Sequence, residues 1–343
     1  MSGHAGIKAR LAVAALLLAL FLGSFMPKAP PPQAQSQAAA TISDITLYQH
    51  ISSRIGHGQG YYAAAAQEQR RHGFPLRPFV TMRLPTMAWL NAAVDPRVAL
   101  CLLLALTAIL WLALPGLALW ERVAVGLLVL AGSWQAFAAY SSWVHEYWAG
   151  LLLALSAAIY PRSAWLAIVA ALAAVLIREL ALPFLLLGAV FALSGRRWRE
   201  AVGWGAAITV FAIALAAHAH EVTLVLLPGD RVSEGWLGLP GYATAIDRIA
   251  HQSPLGVLPP PVADTIAALA PVGWLGLRNR TGLFMCLYLI GMVAFLAIFP
   301  RDNNLFWGLI IAPAWLAGLA FLPRLAGWLA RGGPLVEPVG ARS

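Results

Sequence analysis

Apolar runs recur along nearly the whole chain, and several approach the roughly 17–25 residues that cross a bilayer as helix. That recurrence limits what the chain can fold into more than any single motif does. The composition agrees: 60% of the 343 residues are hydrophobic and 11% are charged, against about 45–50% and about 25% in a soluble domain. Fourteen tryptophans, often near the ends of the runs, match interfacial anchors. The sequence predicts an all-α, polytopic membrane protein in one integral-membrane domain over 1–343, with about ten transmembrane helices.

Lys8 and Arg10 precede the first run, "LAVAALLLALFLGSFM". It reads as a retained membrane helix, with a cleaved signal peptide as the alternative. "PKAPPPQAQSQAAA" follows as an extended linker. Further spans are expected at 97–114, 122–140, 146–160, 163–177, 180–194, 201–218, 262–277, 282–299 and 305–322. Lys8 and Arg10, Arg122, Arg162, "GRRWRE" (195–200), Arg278 and Arg280, and Arg324 and Arg331 then fall on one side, which is cytoplasmic by the positive-inside rule. Both termini fall on that side, and the pattern suits a bacterial inner membrane. Of the fourteen acidic residues, only Glu121, Glu200 and Glu337 fall there. Chemistry is therefore expected on the opposite face, in a first outer loop (27–96), a second outer loop (219–261) and the short connections.

The net charge of +9 does not point to nucleic acid. The basic residues are scattered between apolar runs and form no basic helix or aromatic–basic strand; their partners are membrane lipids and phosphate. Cys101 and Cys286 lie inside apolar runs and read as packing residues. There is no Gly-rich phosphate loop, zinc signature or G-x-S-x-G elbow, so a nucleotide-sugar donor has no support. No internal repeat is evident.

The segment "DITLYQHISSRIGHGQGYYAAAAQEQRRHGFPLRPFVTMRLP" (44–85) stands apart in so apolar a chain. Ser43 or Asp44 can cap a helix, with Leu47, Ile51 and Ile55 as its apolar stripe. "GHGQG" breaks it, and "YYAAAAQEQRRH" forms a second short helix closed by Gly73. Two amphipathic helices lying along the membrane surface would make a roof over a cavity.

A leading membrane helix, an acid soon after it, "Y…G…YY" and a Pro-rich return resemble the GT-C superfamily of integral-membrane glycosyltransferases, such as the protein mannosyltransferases and aminoarabinose transferases. The resemblance implies inverting transfer of a sugar from a polyprenyl-phosphate carrier to a glycan, lipid or protein acceptor on the outer face, with Asp44 as the catalytic general base. The chemistry suits these residue types, since an attacking hydroxyl must lose a proton and a leaving phosphate wants Arg donors. Tyr48, Arg54, Tyr61, Tyr62, Arg77 and Arg83 are the expected substrate contacts in this loop. The family's motif often carries two acids close together, whereas Asp44 is followed by Ile45. Glu146 in "WVHEYW", beside His145, is the expected second acid, orienting the acceptor or supporting a divalent cation; no other cofactor is expected.

Each residue also has a plainer reading. Asp44 could be only a cap, Tyr61 and Tyr62 belt aromatics, Arg77 and Arg83 lipid-headgroup contacts, and His145–Glu146 an interface pair. Arg178–Glu179, between apolar runs without a proper turn, belongs in a protein interior or polar cavity, as a salt bridge or a substrate contact. "FPRDNNLFW" (299–307) offers Arg301, Asp302 and Asn304 as a cap or a phosphate clamp. "AHAHEV" (217–222) splits its histidines across a helix and does not suit a metal. Two other functions fit the same pattern: a transporter or flippase of a lipid-linked or amphipathic substrate, and a non-catalytic envelope-assembly subunit.

Overall fold

The structure, a computed structural model, describes residues 2–29, 41–301 and 304–335. Most of the linker expected at 27–40, together with Asp302, lies outside the described residues. Among those described the chain is all-helical and forms no strand, only an isolated bridge between Arg77 and Val232.

The helices follow the sequence closely at their starts. After α1 (Ser2–Ser24) come α2 (Asp44–Gly56) and α3 (Tyr61–Arg71), the two short helices expected in the first loop. A further short helix, α4 (Thr86–Ala93), was not expected there; it meets α5 (Pro96–Leu112) at a 102° bend. Asp95 makes that corner, accepting the amides of Arg97 at 2.8 Å and Val98 at 3.1 Å, while Pro96 occupies a first-turn position that needs no N–H. Then follow α6 (Leu119–Gly132), α7 (His145–Ile159), α8 (Ala164–Ile177), α9 (Leu182–Ser194) and α10 (Trp198–Val225). The chain continues through α11 (Tyr242–His251), α12 (Pro260–Gly273), α13 (Arg280–Ile298), α14 (Ala312–Trp315) and α15 (Leu322–Arg331).

Among the described residues three helices, within α1, α10 and α13, are long and apolar enough to cross a membrane, or four if the bent α4–α5 pair counts as one crossing. That is fewer than the ten expected. The missing spans exist as shorter apolar helices or as broken ones. The span expected at 305–322 is a chain of tight turns around α14, where Pro313 lacks the amide a long helix needs. The one expected at 122–140 stops at Gly132, and 262–277 ends α12 at Gly273. At both ends the backbone closes on a neighbouring segment, which is why glycine stands there: a Cβ on Gly132 would lie 2.3 Å from the Ala312 carbonyl oxygen, and one on Gly273 would lie 2.1 Å from that of Gly318. Hydrophobicity counted along the sequence does not separate a helix facing lipid from one enclosed by protein. Helix α7 is of the second kind, buried from His145 through Ala158 with the one exception of Leu152.

The segment 219–261, expected as a second outer loop, is partly helical. Helix α10 runs on through "AHAHEV", and α11 forms within 219–261. Cys286 is buried as a packing residue, whereas Cys101 is exposed on α5. The roof differs in one respect from the expectation. Leu47 and Ile51 of α2 pack against Ala65, Ala66, Leu76, Met82 and Val222, with Ile55 at the edge. The apolar stripe is therefore used against the protein's own α3, return loop and α10 rather than laid on a membrane surface.

Candidate functional site

The helix start at α2 determines what Asp44 is free to do. Ser43 is the cap, its hydroxyl accepting the Thr46 amide at 3.2 Å, so Asp44 is the first helical residue and has no capping duty. Among the described residues its carboxylate has no hydrogen-bond or ion-pair partner, and it lines a cleft of about 340 Å³. Tyr48, one turn on, lines the same wall. Arg83 enters from the return loop, Val144 and Glu146 from the start of α7, and Asn304, Phe306 and Trp307 from the segment after α13.

Behind this cleft runs a chain of charges. Arg178, 1% exposed, donates Nε–H to Glu146 Oε1 at 2.7 Å and a second N–H to Glu179, and its guanidinium lies 5.8 Å from the centre of the Trp307 ring. Arg83 is engaged more loosely: it reaches Glu179 at 3.4 Å and the Tyr48 hydroxyl at 3.4 Å. These long contacts leave its donors available to an incoming oxyanion, whereas Arg178 is committed to holding Glu146 and Glu179. His145 packs edge-on against Tyr48, ring centres 4.5 Å apart, with its Nδ1 buried and unpartnered.

Asp44 opens to the cleft and so is exposed, yet protein surrounds it on the concave side. That burial pushes its carboxyl above the ordinary range; Arg83 opposes the shift, Glu146 adds to it and Arg178 again opposes it. Burial likewise pushes the Tyr48 hydroxyl up to about 12, against the pull of Arg83, so Tyr48 remains a donor. The arrangement has one unpartnered carboxylate poised to take a proton, one loosely held guanidinium, one fixed carboxylate and an aromatic wall.

Eight of the expected residues therefore converge here: Asp44, Tyr48, Arg83, His145, Glu146, Arg178, Glu179 and Asn304. Five do not. Arg54 is tied to Glu68 at 2.6 Å and to Gln59 and Gln67. The Tyr61 hydroxyl donates to the Arg83 carbonyl and positions Arg83 instead of touching the cleft. Tyr62 meets His218 at 3.3 Å. Arg77 is exposed, outside the cleft lining, and only its main chain bridges to the 231–233 backbone, while Arg301 pairs with Glu234 at 3.1 Å. His218 of "AHAHEV" is buried against Tyr62 and the Met82 carbonyl. Phe306 and Trp307 were missed because they fell inside an expected span; the neighbouring polar "RDNN" was the available signal.

A larger apolar cavity, about 390 Å³, lies between α7, α9, α10 and α13. Its one acid, Glu200, is bound to Tyr160 at 2.8 Å and to Arg197, so unlike the Asp44 cleft it presents no unpartnered carboxylate. No family model, curated protein or solved structure matches the chain. The GT-C resemblance accordingly rests on the residues quoted above.

Proposed function

We propose that this protein is an inverting, membrane-embedded glycosyltransferase that moves a sugar from a polyprenyl-phosphate carrier to an acceptor hydroxyl. The observation that carries this reading is the unpartnered Asp44 carboxylate lining the same cleft as the loosely held Arg83. Asp44 takes the acceptor's proton as its oxygen attacks the anomeric carbon. The bond from that carbon to the phosphate oxygen breaks, and its electron pair leaves on the phosphate, which Arg83 holds. Glu146, fixed by Arg178, orients the acceptor, and Tyr48 donates to a sugar or phosphate oxygen.

The reading places the cleft at the extracytoplasmic face of a bacterial inner membrane, with both termini cytoplasmic. Helices α10 and α13 then both enter from the cytoplasmic side, so the chain must return between them. Helix α12 with the turn Trp274–Leu277 is the segment for that return. It is short and broken, which is tolerated at membrane depth when the backbone is buried in protein, and it is among the most buried parts of this chain.

The test compares wild type with Asp44→Asn at matched protein levels in native membranes, reading polyprenyl-phosphate sugars and surface glycans by mass spectrometry. Accumulation of one lipid-linked donor and loss of one sugar support the assignment. Unchanged donor pools and glycans overturn it, leaving the cleft to transport or assembly.

A further inference from the structure

A second constellation lies between α2 and α3, and none of its residues lines the cleft. Glu68 of α3 is 2% exposed, and its two carboxylate oxygens have different partners. Oε1 accepts from Arg54 at 2.6 Å. Oε2 is approached by His50 Nδ1 of α2 at 3.2 Å and by His72 Nε2 at 3.4 Å. The three ligand atoms lie within 4.8 Å of one another.

We infer that His50, Glu68 and His72 form a binding site for a zinc-class divalent transition metal ion that clips α2 to α3. Ligands about 2.0–2.1 Å from a tetrahedral zinc ion sit about 3.3–3.4 Å apart along each edge. The two nitrogen–oxygen separations match that edge. The donor set, two imidazole nitrogens and one carboxylate, is the set that such ions favour over calcium or magnesium. His72 has the outer support expected of a ligand: its Nδ1 is hydrogen-bonded to Thr41 Oγ1 at 2.7 Å, which turns Nε2 toward Glu68. That Nε2 is buried and has no well-aligned hydrogen bond. Arg54 holds the other carboxylate oxygen and leaves Oε2 for the metal. His50 is on the solvent side, its side chain 47% exposed, so a fourth position is open to water.

This site is separate from the proposed transfer chemistry and stands or falls without it. The test uses the full-length protein, purified with a tag free of histidine and stripped with chelator, titrated with ZnCl₂ by calorimetry and with CoCl₂ by visible absorbance. The expected result is one zinc ion per chain, a four-coordinate cobalt spectrum, and a zinc-dependent rise in the unfolding midpoint. Zinc affinity falls by about tenfold or more in His50→Ala, whose exposed side chain lies outside the apolar core, and in His72→Gln. Absence of stoichiometric binding in the wild type overturns the inference. So does wild-type affinity retained in both variants.

Discussion

Ser43 caps α2, accepting the Thr46 amide at 3.2 Å, and thereby leaves the neighbouring Asp44 carboxylate without a partner among the described residues. Removing the cap and removing the acid should therefore have separable effects. Ser43→Ala is expected to cost about 0.5–2 kcal/mol of stability, while Asp44→Asn, at an open position, shifts stability by about 0.5 kcal/mol or less and abolishes transfer. Thermal unfolding of both variants in detergent, beside the glycan assay, checks the pair.

Arg178 should behave as scaffold. With its guanidinium removed, Glu146 and Glu179 lose the cation that compensates them, and breaking a buried pair from one side costs about 3–5 kcal/mol. Arg178→Ala is expected to lower the unfolding midpoint strongly or to prevent accumulation. Arg83→Ala, by contrast, is expected to accumulate normally and to lose donor affinity, read as a raised KM. Equal midpoints for the two variants would contradict this division of labour.

Burial holds the Asp44 carboxyl above its ordinary value of 3.8, and Glu146 contributes to the rise. As a base, Asp44 works only when ionised, so kcat/KM should fall as pH drops through that raised pKa. Glu146→Gln removes a like charge and should move the acid limb to lower pH. The stability effect has the opposite sense: ionising Asp44 is harder in the fold than in the unfolded chain. Its contribution is present below pH 3.8 and is lost as pH rises through the folded value. Asp44→Asn should flatten that part of the stability profile, measured as unfolding midpoint against pH.

Gly150 sets the distance between α7 and the segment carrying Trp307. A Cβ there would lie 2.7 Å from the Ile310 carbonyl oxygen and 2.8 Å from that of Leu309. Gly150→Ala is expected to cost about 1–3 kcal/mol as overpacking and to reduce activity by moving Phe306 and Trp307. A denaturant midpoint equal to wild type would show that the segment yields freely.

The local devices were legible in the sequence because each depends on neighbours along the chain. Asp44, the helices on either side of "GHGQG", and the suspicion attached to Arg178–Glu179 all follow from capping, periodicity and the cost of charge among apolar residues. The number of long crossings was not legible. Apolar content marks a segment for burial, but lipid and the interior of a helix bundle satisfy it equally, and only the packing of neighbouring segments, as where Gly132 meets the Ala312 backbone, decides between them. The sorting of the arginines was also tertiary. Arg54, Arg77, Arg83 and Arg301 have similar sequence settings, yet Glu68 and Glu234 engage the guanidinium groups of Arg54 and Arg301, the main chain of Arg77 pairs with residues 231–233, and of the four only Arg83 lines the cleft. A guanidinium's role depends on which acids reach it through space, and residues such as Arg83 and Glu179, 96 positions apart, meet only when the chain has folded.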